Sequence, residues 1–317
     1  MNEQFQKTHL AHGVEKTEYE TQYDENVKAL LADKQVLARL AKHRIEEFRD
    51  YTIEEIIDCI EGDPEISSVS IYPGKKTDAI SGMNVESKER REGEVTFDVR
   101  FYMLTKEQKR VKIIVNLEAQ RDYYLGYHFE ARAVFYCARM LSEQLDREFT
   151  ADDYDGLKKV YSIWIFFHAP MKESDTITEY HMSRKDVYGA PVKGGKYDYL
   201  SISFLRLSLG RKESKDQLLR MLDTLFSDTM DADQKKRLLE TEHQMVMTRK
   251  LEGEIGIMCN VSQGIKMRAL EEGLEKGYTE AKKELIRKKL AKGKSLEEIA
   301  DALEEDLETV REMISKL

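Results

Sequence analysis

The chain has 317 residues, of which 41% are hydrophobic and 35% charged, with a formal net charge of −9. A chain of this length and hydrophobic share buries a large core and is not intrinsically disordered, and its acidic balance weighs against nucleic-acid binding by the surface as a whole, because phosphate contacts draw on Lys and Arg. No apolar run approaches the roughly 20 residues of a membrane-spanning helix, and MNEQFQKTHL at the start has no signal-peptide core. A cytoplasmic location is therefore expected.

Residues 1 to 22 are polar and unpatterned. From about Glu25 to Ala41, apolar residues recur at helical spacing among strong helix formers, which predicts a helix. Thr52 with Glu55 has the capping-box pattern that opens a second helix, and Asp63-Pro64 is expected to end it. Ser67 to Tyr72 is a β-branched strand candidate, closed by a turn at Pro73-Gly74. A charged link, 82 to 93, leads to EVTFDVRFYM at 94 to 103 and RVKIIVNLEAQ at 110 to 120.

Both of these segments alternate with period two, so each predicts a strand with one apolar and one partly polar face. Val95, Phe97, Val99, Phe101 and Met103 share a face, as do Val111, Ile113, Val115, Leu117 and Ala119. The connection from Leu104 to Lys109 suits a hairpin. Aligning the apolar faces also aligns Asp98, Glu118 and Gln120 on the other surface. A loop centred near Gln108 sets Asp98 opposite Glu118. Adjacent carboxylates repel unless a cation or proton separates them. One occupant is a hard divalent ion with oxygen ligands, for which magnesium is the natural choice; in the alternative, Asp98 pairs with Arg100 or Lys112 on a solvated face.

Beyond the hairpin, Phe129 to Arg147 is predicted helical, with Ala131, Val134, Phe135, Ala138 and Leu141 near one face. VYSIWIFFH, Val160 to His168, is too continuously apolar for an exposed strand and is placed inside the sheet. Polar turns around Gly189 to Lys196 precede another strand, LSISFLRLSL. Ser214 to Thr248 is amphipathic and helical with a break near Ser227 to Asp233, and the rest of the chain from Leu251 is mainly helical, with Gly273 and Gly277 as tolerated interruptions. Ser295 to Glu298 forms another capping box, opening the first of two short helices. That pair has the outline of a helix-turn-helix, but Glu304, Glu305, Asp306 and Glu308 stand where phosphates would approach, which favours a packing or oligomerisation hairpin. The domains expected are a polar segment 1–22, a main domain 23–210, a helical region 211–280 and a hairpin tail 281–317. Cys59, Cys137 and Cys259 are widely spaced and indicate neither a disulfide framework nor a zinc site.

The D…ExQ arrangement, together with GMNVES (82–87), FDVRFYM (97–103), IIVNLEAQRD (113–122), GYHFEARAVFYCARMLSEQ (126–144), DYDGLKKVYSIWI (153–165) and MCNVSQGI (258–265), resembles the PD-(D/E)xK nuclease-like transposases, which include the recombination-promoting nucleases. The resemblance implies an α/β fold with an αβββαβ restriction-endonuclease-like core and a helical C-terminal extension. It also implies a Mg2+-dependent endonuclease acting on DNA, with Mn2+ as a substitute metal. Asp98 and Glu118 would be metal ligands, with the carbonyl of Ala119 beside them. Gln120 falls where many relatives carry lysine; it can orient water or donate hydrogen bonds but brings no charge. Glu86 is the preferred further acidic residue and Glu47 a lesser candidate.

Arg132 is a candidate phosphate contact, Tyr127 and Tyr136 are expected to pack with bonded hydroxyls, and His128 and His168 are candidate proton carriers. Basic clusters at Lys88 to Arg91 and Lys109 to Lys112 flank the proposed site. The rival readings are a catalytically weak nuclease-fold protein that binds DNA or a partner, and an interaction protein that forms homo-oligomers through its C-terminal helices.

Overall fold

The computed structural model describes residues 21–66, 99–105, 110–118, 123, 127–191 and 193–315, with the backbone alone for Glu65, Ile66 and 110–118. Two compact units divide after Cys259, so that α5 and α6 below belong to the same unit as the sheet.

The first unit opens with helical residues 21–31 (α1) and α2, Lys34–Arg44. The single helix expected over Glu25 to Ala41 is thus two. Asp33 interrupts it, because its carboxylate accepts from the Gln35 N–H and serves as the α2 N-cap. A 3-10 turn at Glu46–Phe48 leads to α3, Ile53–Asp58, opened by the expected Thr52–Glu55 capping box. This helix stops earlier than Asp63-Pro64: the chain turns at Cys59 and runs as strand β1, Ile60–Ile66. The candidate strand Ser67 to Tyr72 lies outside the described residues.

β2 (Val99–Leu104) and β3 (Arg110–Glu118) form the expected antiparallel hairpin. Helix α4 (Phe129–Ser142) carries the chain to β4 (Val160–Phe166), parallel to β3. β5 (Thr176–His181) and β6 (Leu200–Arg206) follow, and among the described residues the sheet has six strands in the order β1-β2-β3-β4-β6-β5, in which β4 and β6 are parallel and β5 and β6 antiparallel. The order α3, β1, β2, β3, α4, β4 is the expected αβββαβ succession. β4 is buried along its whole length, as its unbroken apolar run requires. α5 (Gln217–Phe226), α6 (Ala232–Thr241) and the start of α7 (Arg249–Ala291) follow.

The sheet separates two cores. On one face Val99, Phe101, Met103, Tyr161, Ile163, Ile165, Phe167 and Leu205 pack with residues of α2 and α5. On the other Val160, Trp164, Phe166, Ile202 and Phe204 pack with Phe129, Ala133, Cys137 and Met140 of α4. Period-two alternation in the strands thus becomes two layers of helix on one sheet.

In the second unit, the end of α7 packs with α8 (Leu296–Leu303) and α9 (Leu307–Ser315) through Ile286, Ile299, Ala300 and Val310. Ser295 caps α8 through the expected reciprocal box with Glu298, and Glu304 ends it in the left-handed conformation at φ 55°. Lys282 pairs with Glu305, so one of the acidic turn residues is used internally.

Candidate active site

Glu118 closes β3, where it registers with Phe166, the last residue of β4, which in turn registers with Arg206, the last residue of β6. Three parallel strands therefore end at one level. The hairpin register differs from the sequence expectation. Val99 pairs with Val115 and Leu104 with Arg110, so the hairpin centres on Glu107 rather than Gln108, and a register that sets Asp98 opposite Glu118 would need Val99 two positions further along β3. Parity is unchanged by this two-residue shift, because side chains alternate with period two. Asp98 is bonded to Val99 and, with Ala119, Gln120 and Glu86, lies outside the described residues.

α4 runs over this edge. Phe129 in its first turn meets Phe166 at a ring separation of 5.0 Å and Tyr123 at 5.4 Å, which brings the helix N-terminus to the level where β3 ends. Edge-to-face packing continues from Phe166 to Phe204 at 5.2 Å, and Trp164 lies 5.9 Å from Phe204. Together these rings form an aromatic floor along the strand ends.

Two guanidinium groups rest on that floor. Arg132 lies 5.5 Å from the Trp164 ring and 5.2 Å from Tyr136; it donates to the Tyr136 hydroxyl at 3.1 Å and to the Tyr127 hydroxyl at 3.2 Å. The expected bonded hydroxyls of Tyr127 and Tyr136 are thus present, and their partner is Arg132. Arg206 lies 5.6 Å from Phe166 and 5.5 Å from Phe204. Its Nε donates to the Tyr123 hydroxyl at 2.7 Å and its Nη1 to Thr178 Oγ1 at 2.9 Å. Burial pushes the Tyr123 phenol up, and the adjacent Arg206 cation partly opposes that shift.

Deeper under α4, Arg100 is engaged by Glu143, the C-cap of that helix, and also donates to the Tyr102 hydroxyl at 2.7 Å. Both partners of the ion pair are almost wholly buried. Cys137 hydrogen-bonds Ser162, which also accepts from the Trp164 indole at 2.9 Å. Burial pushes the Cys137 thiol up to about 12, so it is a neutral packing group.

Glu47 stands elsewhere: its carboxylate accepts from Tyr161, whose side chain packs in the core on the other side of the sheet from α4. That removes it as a ligand beside Glu118. A polar cavity of about 200 Å3, lined in part by His43, Lys159, Tyr161, Glu179, Asp198 and Ser201, lies around the start of β4 and β6, away from the strand ends that include Glu118. His128 is the exposed N-cap residue of α4, and His168 is exposed just after β4. Among the described residues no group of three His, Cys, Asp or Glu is placed to hold a metal ion, and no helix is long and apolar enough to cross a membrane.

The profile of the PD-(D/E)XK nuclease family transposases matches residues 76–253, more than half of the chain. This chain belongs to that family. No curated protein and no solved structure matched it. The match takes in the hairpin, α4, the internal strands β4 and β6 and the strand β5 beside them, so the PD-(D/E)XK nuclease-like unit includes Glu118 and both guanidiniums on the aromatic floor. Nucleases of this kind use divalent metal ions. Sequence reasoning missed Tyr123, Glu143 and Arg206. For Arg206 a signal existed: in LSISFLR it occupies the same strand parity as Ile202 and Phe204, a charge in an otherwise apolar row.

Proposed function

We propose that this chain is a Mg2+-dependent endonuclease that hydrolyses phosphodiester bonds in DNA with little sequence specificity and promotes recombination. The observation that carries this reading is the position of Glu118 at the carboxyl end of β3, inside the family match and in register with Phe166, on which Phe129 of the first turn of α4 packs. Asp98, Glu118 and the main-chain carbonyl of Ala119 would hold the metal; all three offer hard oxygen donors, which suit Mg2+ and also Mn2+. Once bound, such an ion lowers the pKa of water and neutralises charge on the phosphoryl oxygens. Gln120 would orient the attacking water by hydrogen bonding, and Glu86 would supply a further acidic group. Arg132, fixed by two phenols, presents a guanidinium suited to a phosphate oxygen. The basic stretches at Lys88 to Arg91 and Lys109 to Lys112 would steer the DNA backbone. The cytoplasm is the compartment where such a protein would meet DNA.

Plasmid nicking tests the reading. Wild type should convert supercoiled plasmid to nicked and linear forms with Mg2+ and not with EDTA, and Asp98→Ala and Glu118→Ala should each reduce the rate by about a thousandfold, the order expected when a preorganised charge-stabilising group is lost. Activity that survives both substitutions, or that ignores the chelator, contradicts it.

A second reading, a nuclease-fold DNA-binding module without turnover, is favoured by Gln120 standing where lysine would add charge. It predicts salt-sensitive DNA retention with no nicking under any metal. Self-association through the C-terminal helices is supported by exposed Met267, Leu270, Leu274 and Tyr278 on α7, which recur at helical spacing. Sedimentation velocity that finds only monomer at all concentrations would remove it.

A further inference from the structure

Among the described residues, Arg206 is a buried cation with no carboxylate bonded directly to it. The residue is 9% exposed, and among the described residues no carboxylate lies within ion-pair distance of it. Its partners are the Tyr123, Thr178 and Tyr180 hydroxyls and the faces of Phe166 and Phe204. Carboxylates enter its surroundings only through phenols: Glu173 through Tyr123, and Glu130 through Tyr180, which donates to Glu130 at 3.1 Å. Arg100, beneath the same helix, shows the ordinary solution, a direct bond to Glu143. Withdrawing a charge from water costs several kcal/mol unless it is paired, so the neutral lining of Arg206 leaves a place for an anion from outside the chain.

Its position says which anion. Arg206 stands two strands from Glu118 at the same level, roughly 10 Å away at the usual strand spacing. A DNA strand carries a phosphate every roughly 3.4 Å of helix axis. A backbone with its scissile group beside Glu118 therefore brings another phosphate to Arg206, and a guanidinium held at Nε by Tyr123 and at Nη1 by Thr178 has a fixed orientation toward a phosphate oxygen.

Building on the nuclease reading above, we propose that Arg206 binds a non-scissile phosphate of the DNA substrate and so positions the strand along the β3–β4–β6 edge. It is a positioning residue and takes no part in bond cleavage. Tyr123 and Thr178 set the angle of the guanidinium, and the aromatic floor keeps competing water away from it.

The test measures binding without cleavage. Wild type, Arg206→Lys and Arg206→Gln are titrated against a short labelled duplex in EDTA over a series of salt concentrations, with fluorescence anisotropy as the readout. Arg206→Gln should bind about tenfold more weakly, and the slope of log K against log salt should fall by about one, the signature of one lost phosphate contact. Arg206→Lys should keep the slope and lose less affinity. In Mg2+, KM for cleavage should rise for Arg206→Gln while kcat stays within about twofold. Should Arg206→Gln fail to fold, Tyr123→Phe replaces it: with the guanidinium untethered, affinity should fall about threefold at unchanged slope. Unchanged affinity and slope in Arg206→Gln, with only a lower melting temperature, would make Arg206 a structural cation and overturn the proposal. In the Tyr123→Phe arm, unchanged affinity has the same meaning. Because binding is read without metal, a protein that never cuts DNA yet shows the Arg206-dependent slope defeats the nuclease reading alone. One that cuts with no Arg206 dependence defeats this proposal alone.

Discussion

The two faces of the central sheet come from the same strands and are built to different ends. Toward α2 and α5, the buried residues of β2 and β4 are Val99, Phe101, Met103, Tyr161, Ile163 and Ile165, with only one hydroxyl among them, and β6 adds Ser201, Ser203 and Leu205 but no charge. Toward α4, the strands bury Arg100, Ser162, Trp164 and Arg206, and α4 itself adds Arg132 at the rim. An all-apolar layer would stabilise the second face as well as the first, since a buried ion pair contributes little beyond what hydrophobic replacements supply. The charges buried in these strands, Arg100 and Arg206, both lie on the second face, and Arg206 ends β6 at the level where Glu118 ends β3, which marks that face as the one shaped by function.

The difference can be broken by paired substitutions, one on each face. Trp164→Ala removes the ring under Arg132 and is expected to cost about 3–5 kcal/mol in guanidinium unfolding, together with a loss of DNA affinity. Ile163→Ala, one residue away on the opposite face, should cost about 2–4 kcal/mol and leave the affinity of the folded protein unchanged. Equal affinity losses from both would erase the distinction between the faces.

Glu143→Ala sharpens it further by leaving Arg100 buried and unpaired. A loss of about 3–4 kcal/mol is expected, most of it recovered when Arg100→Met is added. If the double variant is no more stable than the single, the pair holds the fold in a way that apolar packing cannot replace.

The smallest effect belongs to the α2 side. Burial pushes His43 and His243 below the ordinary histidine range, with Asp216 and Glu242 respectively opposing that shift in part. The folded state then binds fewer protons than the unfolded chain, so this contribution is complete above the unfolded histidine pKa of about 6.5 and is lost as pH falls through the lowered folded values. Chemical denaturation of wild type and a His43→Gln/His243→Gln variant between pH 7.5 and 5, roughly the histidine window, should show a smaller acid-side loss in the variant. Parallel curves would show that neither histidine contributes.

Much of this architecture was legible because strands and helices write their periods into sequence. The hairpin, β4 and the capping boxes Thr52–Glu55 and Ser295–Glu298 were read from alternation and spacing, whereas the box Asp231–Gln234 was not, and α4 was found as a helix with the wrong face inward: it buries Phe129, Ala133, Cys137 and Met140 and leaves Val134 and Phe135 exposed. β1 was not, because IEGDPEI carries Gly62 at φ 66° and Pro64. Both are tolerated because β1 is, among the described residues, an edge strand with a register irregularity between Glu61 and Glu65, and sequence alone does not say which strand will be the edge. β5, the other edge, was missed for want of apolar residues. The hairpin was placed two residues off in pairing because turn geometry, not alternation, fixes that choice. At the candidate site, Glu118 and Arg132 were readable from family-like motifs, whereas Tyr123 and Arg206 meet only through the crossover that sets β6 beside β4.

The central claim, a divalent metal site formed by Asp98 and Glu118, is tested most directly by Mn2+ titration followed by electron paramagnetic resonance. Wild type should remove one or two equivalents of free Mn2+ per chain, Mg2+ should displace it, and the Asp98→Asn/Glu118→Gln double variant should leave the free-ion signal unchanged. A wild type that binds no Mn2+, or a double variant that binds as the wild type does, contradicts the account.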